Sequence, residues 1–331
     1  MVWPEADAIL PGPMGSPAVH STAAAVPSTR GQPLRVAFAG PQVWLDACAP
    51  PRPALGLDPA WFPTPAPGRA EAHADAWVSD LTMRAPHVCV LLDPLSLDPA
   101  LLEGIARTSA VTLGVLTGGL PAAAQQGALA SLDRVLSFRP ALTGAALGSG
   151  EIWRAIPPPV SDALFGEVRP LHSLPRAMSV GSSTEHREAM LMPAKHHHDL
   201  LQVIHGISGQ PLAELLSEYD VGVWVSSEPG GGFGWQICAH LAAGQLLLAE
   251  TLHPEHGLER DIDYLHVGSP EGLVWTLDRL GRFPEMHQRV RVRGRMKAEQ
   301  FRASRVFARV LSDLLADVAA FDRSDAAPGG A

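Results

Sequence analysis

Cysteine is scarce: Cys48, Cys89 and Cys238 are the only three among 331 residues. An odd, sparse set builds no disulfide framework, and no CxxC spacing offers a zinc site, so a reducing compartment is expected. Charge is thin as well, at 18% of residues, with 34 Asp and Glu against 25 Lys and Arg and a net charge of −9. That sign argues against unspecific nucleic-acid binding by the molecule as a whole. No stretch approaches the ~18 consecutive apolar residues of a spanning helix. The opening MVWPEADAILPGPMGSP has neither the basic nor the apolar region of a secretory signal. A cytoplasmic protein is the expectation.

Hydrophobic residues make up 46% of the chain, enough apolar surface to offset chain entropy over a length that suits roughly two domains. Proline is concentrated early, with 14 of 31 in the first 70 residues. Residues 1–33 carry only Glu5, Asp7 and Arg30 as charges and read as a disordered or loosely packed arm. Residues 49–69, with PPRP and PTPAPG, read as a long loop. Around them, LRVAFA (34–39), VCVLL (88–92), VTLGVL (111–116) and RVLSF (134–138) read as buried parallel strands. Helical patterns at 70–84, where His73, Trp77 and Leu81 share a face, and at 99–108 complete a βαβ alternation. A doubly wound α/β domain is expected over 34–156.

Pro157, Pro158 and Pro159 open a polar stretch, 157–175, that reads as an interdomain linker. The alternation then restarts over 176–302. Strands are predicted at 177–181, 200–204, 221–225 and 245–249, with helices at 211–218, 235–243 and 270–281. The stretch 284–321 reads as helical, and Val306, Val310, Leu314 and Val318 mark one apolar face. The spacing predicts a helix over 303–321 that packs back on the first domain, followed by a disordered tail, 322–331.

The most informative segment is SSEPGGGFGWQICAHLAAGQLLLAE, Ser226 to Glu250. A strand ends, glycines follow, and a helix begins near Gly234. Amides at a helix N-terminus lack intrahelical partners, and the helix dipole adds about half a positive charge there, which suits an anion. Glycine lets a ligand approach the backbone.

This segment resembles the C-terminal domain of GT-B glycosyltransferases, specifically the "glycosyl transferases group 1" type and the CgeB-like spore maturation family. FGWQICAHLAAG (233–244), SEYDVGVWVSSEP (217–229) and PRAMSVGSSTEHREAML (175–191) follow that pattern. The closing EHGLERDIDYLHVGSPEGLVWTL and RVRVRGRMKAEQFRAS complete it, so the likeness runs over about 134–320. The resemblance implies two Rossmann-like domains facing across a cleft, with a UDP- or GDP-sugar as donor substrate, a hydroxyl acceptor, and no permanently bound cofactor or metal. It implies that Gly181, Ser182, Ser183 and the Arg187 side chain contact the donor diphosphate. Arginine suits that task, because its guanidinium makes paired, charge-assisted bonds to phosphate. It further implies that Gly206, Ile207 and Ser208 read the nucleobase, and that Gly232, Phe233, Gly234 and Trp235 hold phosphates and sugar.

One departure stands out. The family's retaining members place two Glu around this loop, and aligning F-G puts Gly231 and Ala239 at those positions. Glu228 is the substitute expected near the donor sugar, and Gln236 or His240 near the ribose. A catalytically degenerate binding protein of the same fold is therefore carried as an alternative. A dinucleotide-dependent oxidoreductase fits less well, since GPQVWLDA and GGGFG both lack the G-x-G-x-x-G spacing.

In the first domain, ligands are expected beyond the carboxyl ends of strands, which nominates Asp93 to orient or deprotonate an acceptor hydroxyl. A turn or capping role for Asp93 is the plainer reading. His196, His197 and His198 are consecutive and do not converge on a metal. Residues 279–309 hold 10 of the 25 basic residues. Arg289 to Lys297 reads mainly as a solvated helix, with peripheral contact to anionic lipid as the alternative.

Overall fold

The computed structural model describes residues 32–51, 56–64, 70–108, 110–118, 129, 131–139, 146–147, 150–170, 172, 174–204 and 207–325. The expectations for residues 1–31 and 326–331 lie outside them. The first half forms strands β1 (Leu34–Gly40), β2 (Leu57–Pro63), β3 (Val88–Leu92), β4 (Val111–Leu116) and β5 (Arg134–Ser137). A short antiparallel pair, β6 (Ala146–Leu147) and β7 (Gly150–Glu151), precedes β8 (Arg154–Ala155). The main sheet runs β2-β1-β3-β4-β5-β8, parallel throughout. Helices α1 (Gln42–Cys48), α2 (Ala70–Arg84) and α3 (Pro99–Ala106) connect its strands.

VCVLL shows why such a run is a central strand. Val88, Val90 and Leu92 enter the core on one face, and Cys89 and Leu91 enter the core on the other. Both faces are covered, so no polar alternation is needed. β2 corrects the sequence-based loop at 49–69. Its proline content hid it, but β2 pairs only with β1, and an edge strand tolerates Pro59 because one row of its backbone needs no partner.

The second half forms β9 (Ala177–Val180), β10 (Leu200–Val203), β11 (Val221–Trp224), β12 (Leu246–Ala249) and β13 (Leu265–His266), ordered β10-β9-β11-β12-β13 and again parallel. Its helices are α4 (Glu185–His197), α5 (Gly209–Ser217), α6 (Trp235–Ala242), α7 (Pro270–Arg282) and α8 (Gln288–Ala298). The fold is α/β, with two Rossmann-like halves. Residues 157–175 are not a free tether: Val160 and Leu164 are buried in the second half's core.

The last helix, α9 (Ala303–Asp325), crosses to the first half. Val306, Phe307, Val310, Leu311 and Leu314 are buried with Val36, Phe38, Val90 and Val115, and Phe307 meets Phe38 edge-on at 4.9 Å. Ion pairs Arg134–Asp317 (2.8 Å) and Arg154–Asp313 (2.7 Å) flank this contact. The helical run read over 284–321 is split between α8 and α9. Asp162, from the stretch read as a linker, accepts from Ser304 N at 3.0 Å and Ser304 Oγ at 2.7 Å, capping α9 from 142 residues away.

The basic run is also divided. Arg291 is buried, and its Nε donates to Gly244 O at 2.5 Å while its Nη1 donates to Arg169 O. Arg295 Nε donates to Gly166 O at 2.8 Å. These two arginines tie α8 to the 166–169 segment and are structural, so the mainly solvated reading of Arg289 to Lys297 holds for the other basic residues and not for these two.

Candidate functional site

β10 lies on one side of β9 and β11 on the other, so the order in which strands are laid down switches sides between β9 and β11. Open α/β sheets bind ligands beyond the strand ends at such a point. Gly181 ends β9 there. A Cβ on it would stand 2.9 Å from Arg187 Nη1, so glycine makes room for the guanidinium.

Arg187 is only 7% exposed. Its Nε donates to Val225 O at 3.0 Å and its Nη1 donates to Ser182 O, which bridges the ends of β9 and β11. Burial lowers its pKa, and the charges of Glu250 and Glu188 oppose that shift. Its Nε and Nη1 thus brace two backbone carbonyls, a role the sequence does not reveal. Arg187→Ala would leave the buried Val225 carbonyl without its donor and release the Ser182 carbonyl on the exposed loop. Rather than sparing the fold, it should cost about 2–3 kcal/mol of stability, readable as a lower urea midpoint.

Ser182 and Ser183 are exposed on the following loop, and Ser183 Oγ donates to Glu188 at 2.7 Å. That carboxylate also accepts from Lys195 at 2.7 Å. The Lys195 and Ser183 bonds hold Glu188 down to about 2.

The glycine loop lies against the segment after β12. Gly231 has φ +83, and a Cβ there would fall 2.2 Å from the Thr251 carbonyl oxygen. Gly232 accepts from His253 N at 3.1 Å and bridges to Leu252. Glutamate is therefore excluded at Gly231 by contact with a backbone 20 residues away. Ala239 is buried in the core on α6, so the second position of the family's pair is equally closed to a carboxylate. Gly234 caps α6 with no side-chain bond. Among the described residues, the amides of Phe233, Gly234, Trp235 and Gln236 have no protein acceptor. They form a row of free donors at the positive end of a helix.

Glu228 is exposed at the turn before the glycines, and its carbonyl accepts from Ser226 Oγ. His240 does not reach this surface. It is fully buried, its Nδ1 is 2.6 Å from Gln245 Oε1, and burial lowers its pKa to about 4. Its place two turns into α6 turns the ring against β11, where Gly222 leaves space for it.

Two other expected ligand residues touch the first half. Ser208 Oγ donates to Asp46 Oδ2 at 2.6 Å, and Asp46 Oδ1 accepts from Gln42 Nε2 at 2.6 Å. Trp235 Nε1 donates to Ala47 O at 3.2 Å. Ser208 and the Trp235 indole therefore join the halves through α1. Ile207 is exposed beside them, and Gly206 lies outside the described residues.

Sequence reasoning missed Glu250 and His186. Glu250 follows β12 directly and accepts from Ser226 N at 2.8 Å and His186 Nε2 at 2.8 Å. The strand-end argument that nominates Asp93 applies equally to Glu250. Asp93 itself follows β3 with φ +56, and burial raises its pKa against hydrogen bonds from Thr117 and Ser96. His196 and His197 are exposed at the end of α4. Among the described residues no three His, Cys, Asp or Glu are grouped to hold a metal, and no helix is long and apolar enough to cross a membrane.

No protein-family model matches the sequence, and no curated protein does. Solved structures do share the fold. Sucrose-phosphate synthase from Thermosynechococcus elongatus matches with a TM-score of 0.55 at 12% identity, covering 86% of this chain and 99% of that one. A glycosyltransferase from Rickettsia africae gives 0.54 at 12% identity, covering 86% and 98%. Anabaena HepE, crystallised with UDP and glucose, gives 0.52 at 10% identity, covering 85% and 99%. The architecture is GT-B. In this GT-B chain, the free amides of α6 and the Gly231 turn follow β11, next to the switch in strand order of the second sheet.

Proposed function

We propose that this chain is a glycosyltransferase that moves a sugar from a nucleoside-diphosphate sugar, UDP- or GDP-linked, to a hydroxyl acceptor, without a metal. The observation that carries this reading is the row of unpartnered amides at Phe233 to Gln236, next to the glycine turn in a GT-B second domain. As the bond from the sugar's anomeric carbon to the diphosphate oxygen breaks, negative charge builds on the leaving diphosphate. Oriented amides and the helix dipole stabilise that charge without reorganising. Arg187 serves as a positioning residue that holds the Ser182 and Val225 carbonyls in place. Ser182 and Ser183 contribute hydroxyls to the same loop.

Glu228 supplies the carboxylate that hydrogen-bonds the donor sugar, standing in for the one excluded at Gly231. Asp93 takes the acceptor proton as the new bond to the anomeric carbon forms. Its raised pKa moves it toward the range a general base needs. The CgeB-like likeness belongs to this reading and rests on motif order.

A second reading, a nucleotide-sugar binding protein without turnover, is favoured by the closed Gly231 and Ala239 positions. Glu228→Gln separates the two. On the transferase reading it keeps nucleotide affinity near wild type and slows transfer or donor hydrolysis at least about tenfold, or ~1.4 kcal/mol of barrier. A wild-type protein that binds a nucleotide sugar and never consumes it would favour the second reading. Equal turnover in wild type and variant would remove Glu228 from the site.

A further inference from the structure

Beyond the ends of β9, β11 and β12 lies a polar pair, His186 and Glu250. His186 is the second residue of α4 and Glu250 follows β12 directly; their side chains are 19% and 13% exposed. His186 Nε2 lies 2.8 Å from Glu250 Oε1, and Glu250 Oε2 accepts from Ser226 N at 2.8 Å. An ionised carboxylate only accepts, so Nε2 carries the hydrogen of the first bond. Both oxygens of Glu250 are thereby engaged, and the imidazole is held in one orientation. Nδ1 of His186 has no partner among the described residues. The enclosed and unpaired ring nitrogens there belong to His198, His240 and His256, so the free Nδ1 of His186 is open.

The pair stands beside the glycine turn. Thr251, next after Glu250, presents its carbonyl oxygen to Gly231 so closely that no Cβ fits between them. Ser226, whose amide holds Glu250, donates its hydroxyl to Glu228 O at the start of the same turn. Two residues beyond Gly231 the free amides of α6 begin. The charges around the ring come close to balance: Glu188 pairs with Lys195 at 2.7 Å, Glu250 acts on Arg187 as well as on His186, and Glu185 is exposed. An anion is drawn here by directed donors rather than by a net positive field. Stability alone gives little reason for the pair, because a largely buried ion pair contributes little over apolar side chains of the same size.

We propose that His186, oriented by Glu250, is a catalytic residue that donates a hydrogen bond from Nδ1 to the terminal phosphate of a nucleoside diphosphate, the leaving group of the transfer proposed above. The inference rests on that donor reading. With both ring nitrogens protonated, Nε2 donates to Glu250 and Nδ1 to the phosphate. This charge-assisted bond strengthens as the bond from sugar to phosphate oxygen breaks and its electron pair stays on the phosphate. Glu250 does not touch the ligand; it is a positioning residue that acts through the ring.

The test is calorimetric titration of the full chain with UDP and UMP and with GDP and GMP. The amide nitrogen of asparagine stands where Nδ1 does, and that of glutamine where Nε2 does. His186→Asn therefore keeps the donor to the phosphate and loses the bond to Glu250, while His186→Gln does the reverse. His186→Gln is expected to lower diphosphate affinity at least about tenfold and to leave monophosphate affinity near wild type. His186→Asn should keep most of the preference for diphosphate, and Glu250→Gln should reduce it several-fold. Circular dichroism checks that each variant is folded. A purely structural role predicts the opposite order, since glutamine preserves the bond to Glu250, and it predicts equal losses for mono- and diphosphate. The proposal would be overturned, with the donor reading left standing, by a folded His186→Gln protein that keeps the wild-type preference for diphosphate. The same holds if His186→Asn is the weaker variant, or if wild type binds diphosphate no more tightly than monophosphate. A wild-type protein that binds neither UDP nor GDP would overturn both.

Discussion

Replacing Gly231 with glutamate, which restores the carboxylate common in retaining relatives, is expected to destabilise the protein by about 3 kcal/mol or more and not to raise activity. Two costs add. At φ +83 a residue with a side chain occupies a region that costs about 1–3 kcal/mol. Its Cβ would also stand 2.2 Å from Thr251 O, a backbone atom that cannot swing away as a side chain can. Relief requires separating the glycine turn from the 251–253 strap, which breaks the Gly232–His253 bond and moves the α6 amides. Chemical denaturation reads the loss directly. A Gly231→Glu protein as stable as wild type would mean that the turn does not lie on Thr251.

Gly222→Ala should be comparably damaging, at about 3 kcal/mol or more. Gly222 sits inside β11, and an alanine Cβ there would fall 2.4–2.7 Å from three atoms of His240. The ring cannot retreat, because its Nδ1 is held by Gln245, whose Nε2 donates to Leu216 O at 2.7 Å, and all of this is buried. Overpacking a pinned core forces backbone shifts and strands polar groups. Gly222→Ala with His240→Gly should recover part of the loss, because glycine at 240 removes all three clashing atoms, the Cβ included. A Gly222→Ala midpoint near wild type would contradict the packing of β11 on α6.

How far the sequence foretold this molecule depended on whether the deciding contacts were local. β1, β3 and β4 were legible because both faces of each are buried, and uninterrupted apolar runs record that. The apolar face of α9 was legible from its spacing. β2 was hidden because edge pairing, which makes Pro59 tolerable, leaves no mark in the local pattern. The split between α8 and α9 depends on Asp162, far away in the chain. In the site, the glycine turn and the helix start were readable. The reason glutamate is missing at Gly231 was not, since Thr251 is its cause. Arg187 entered as a diphosphate contact through the family resemblance, which does not reveal that its Nε and Nη1 bond to backbone carbonyls. His240 read as a ribose contact for the same reason, and only its burial corrects that.

The most direct test of the donor site is calorimetric titration of the full chain with UDP and GDP, paired with thermal unfolding at saturating ligand. The account predicts saturable one-site binding of at least one nucleoside diphosphate, with about 2.7 kcal/mol of added stability at 100 times its dissociation constant. Binding of NADH with no response to any nucleoside diphosphate or nucleotide sugar would contradict it.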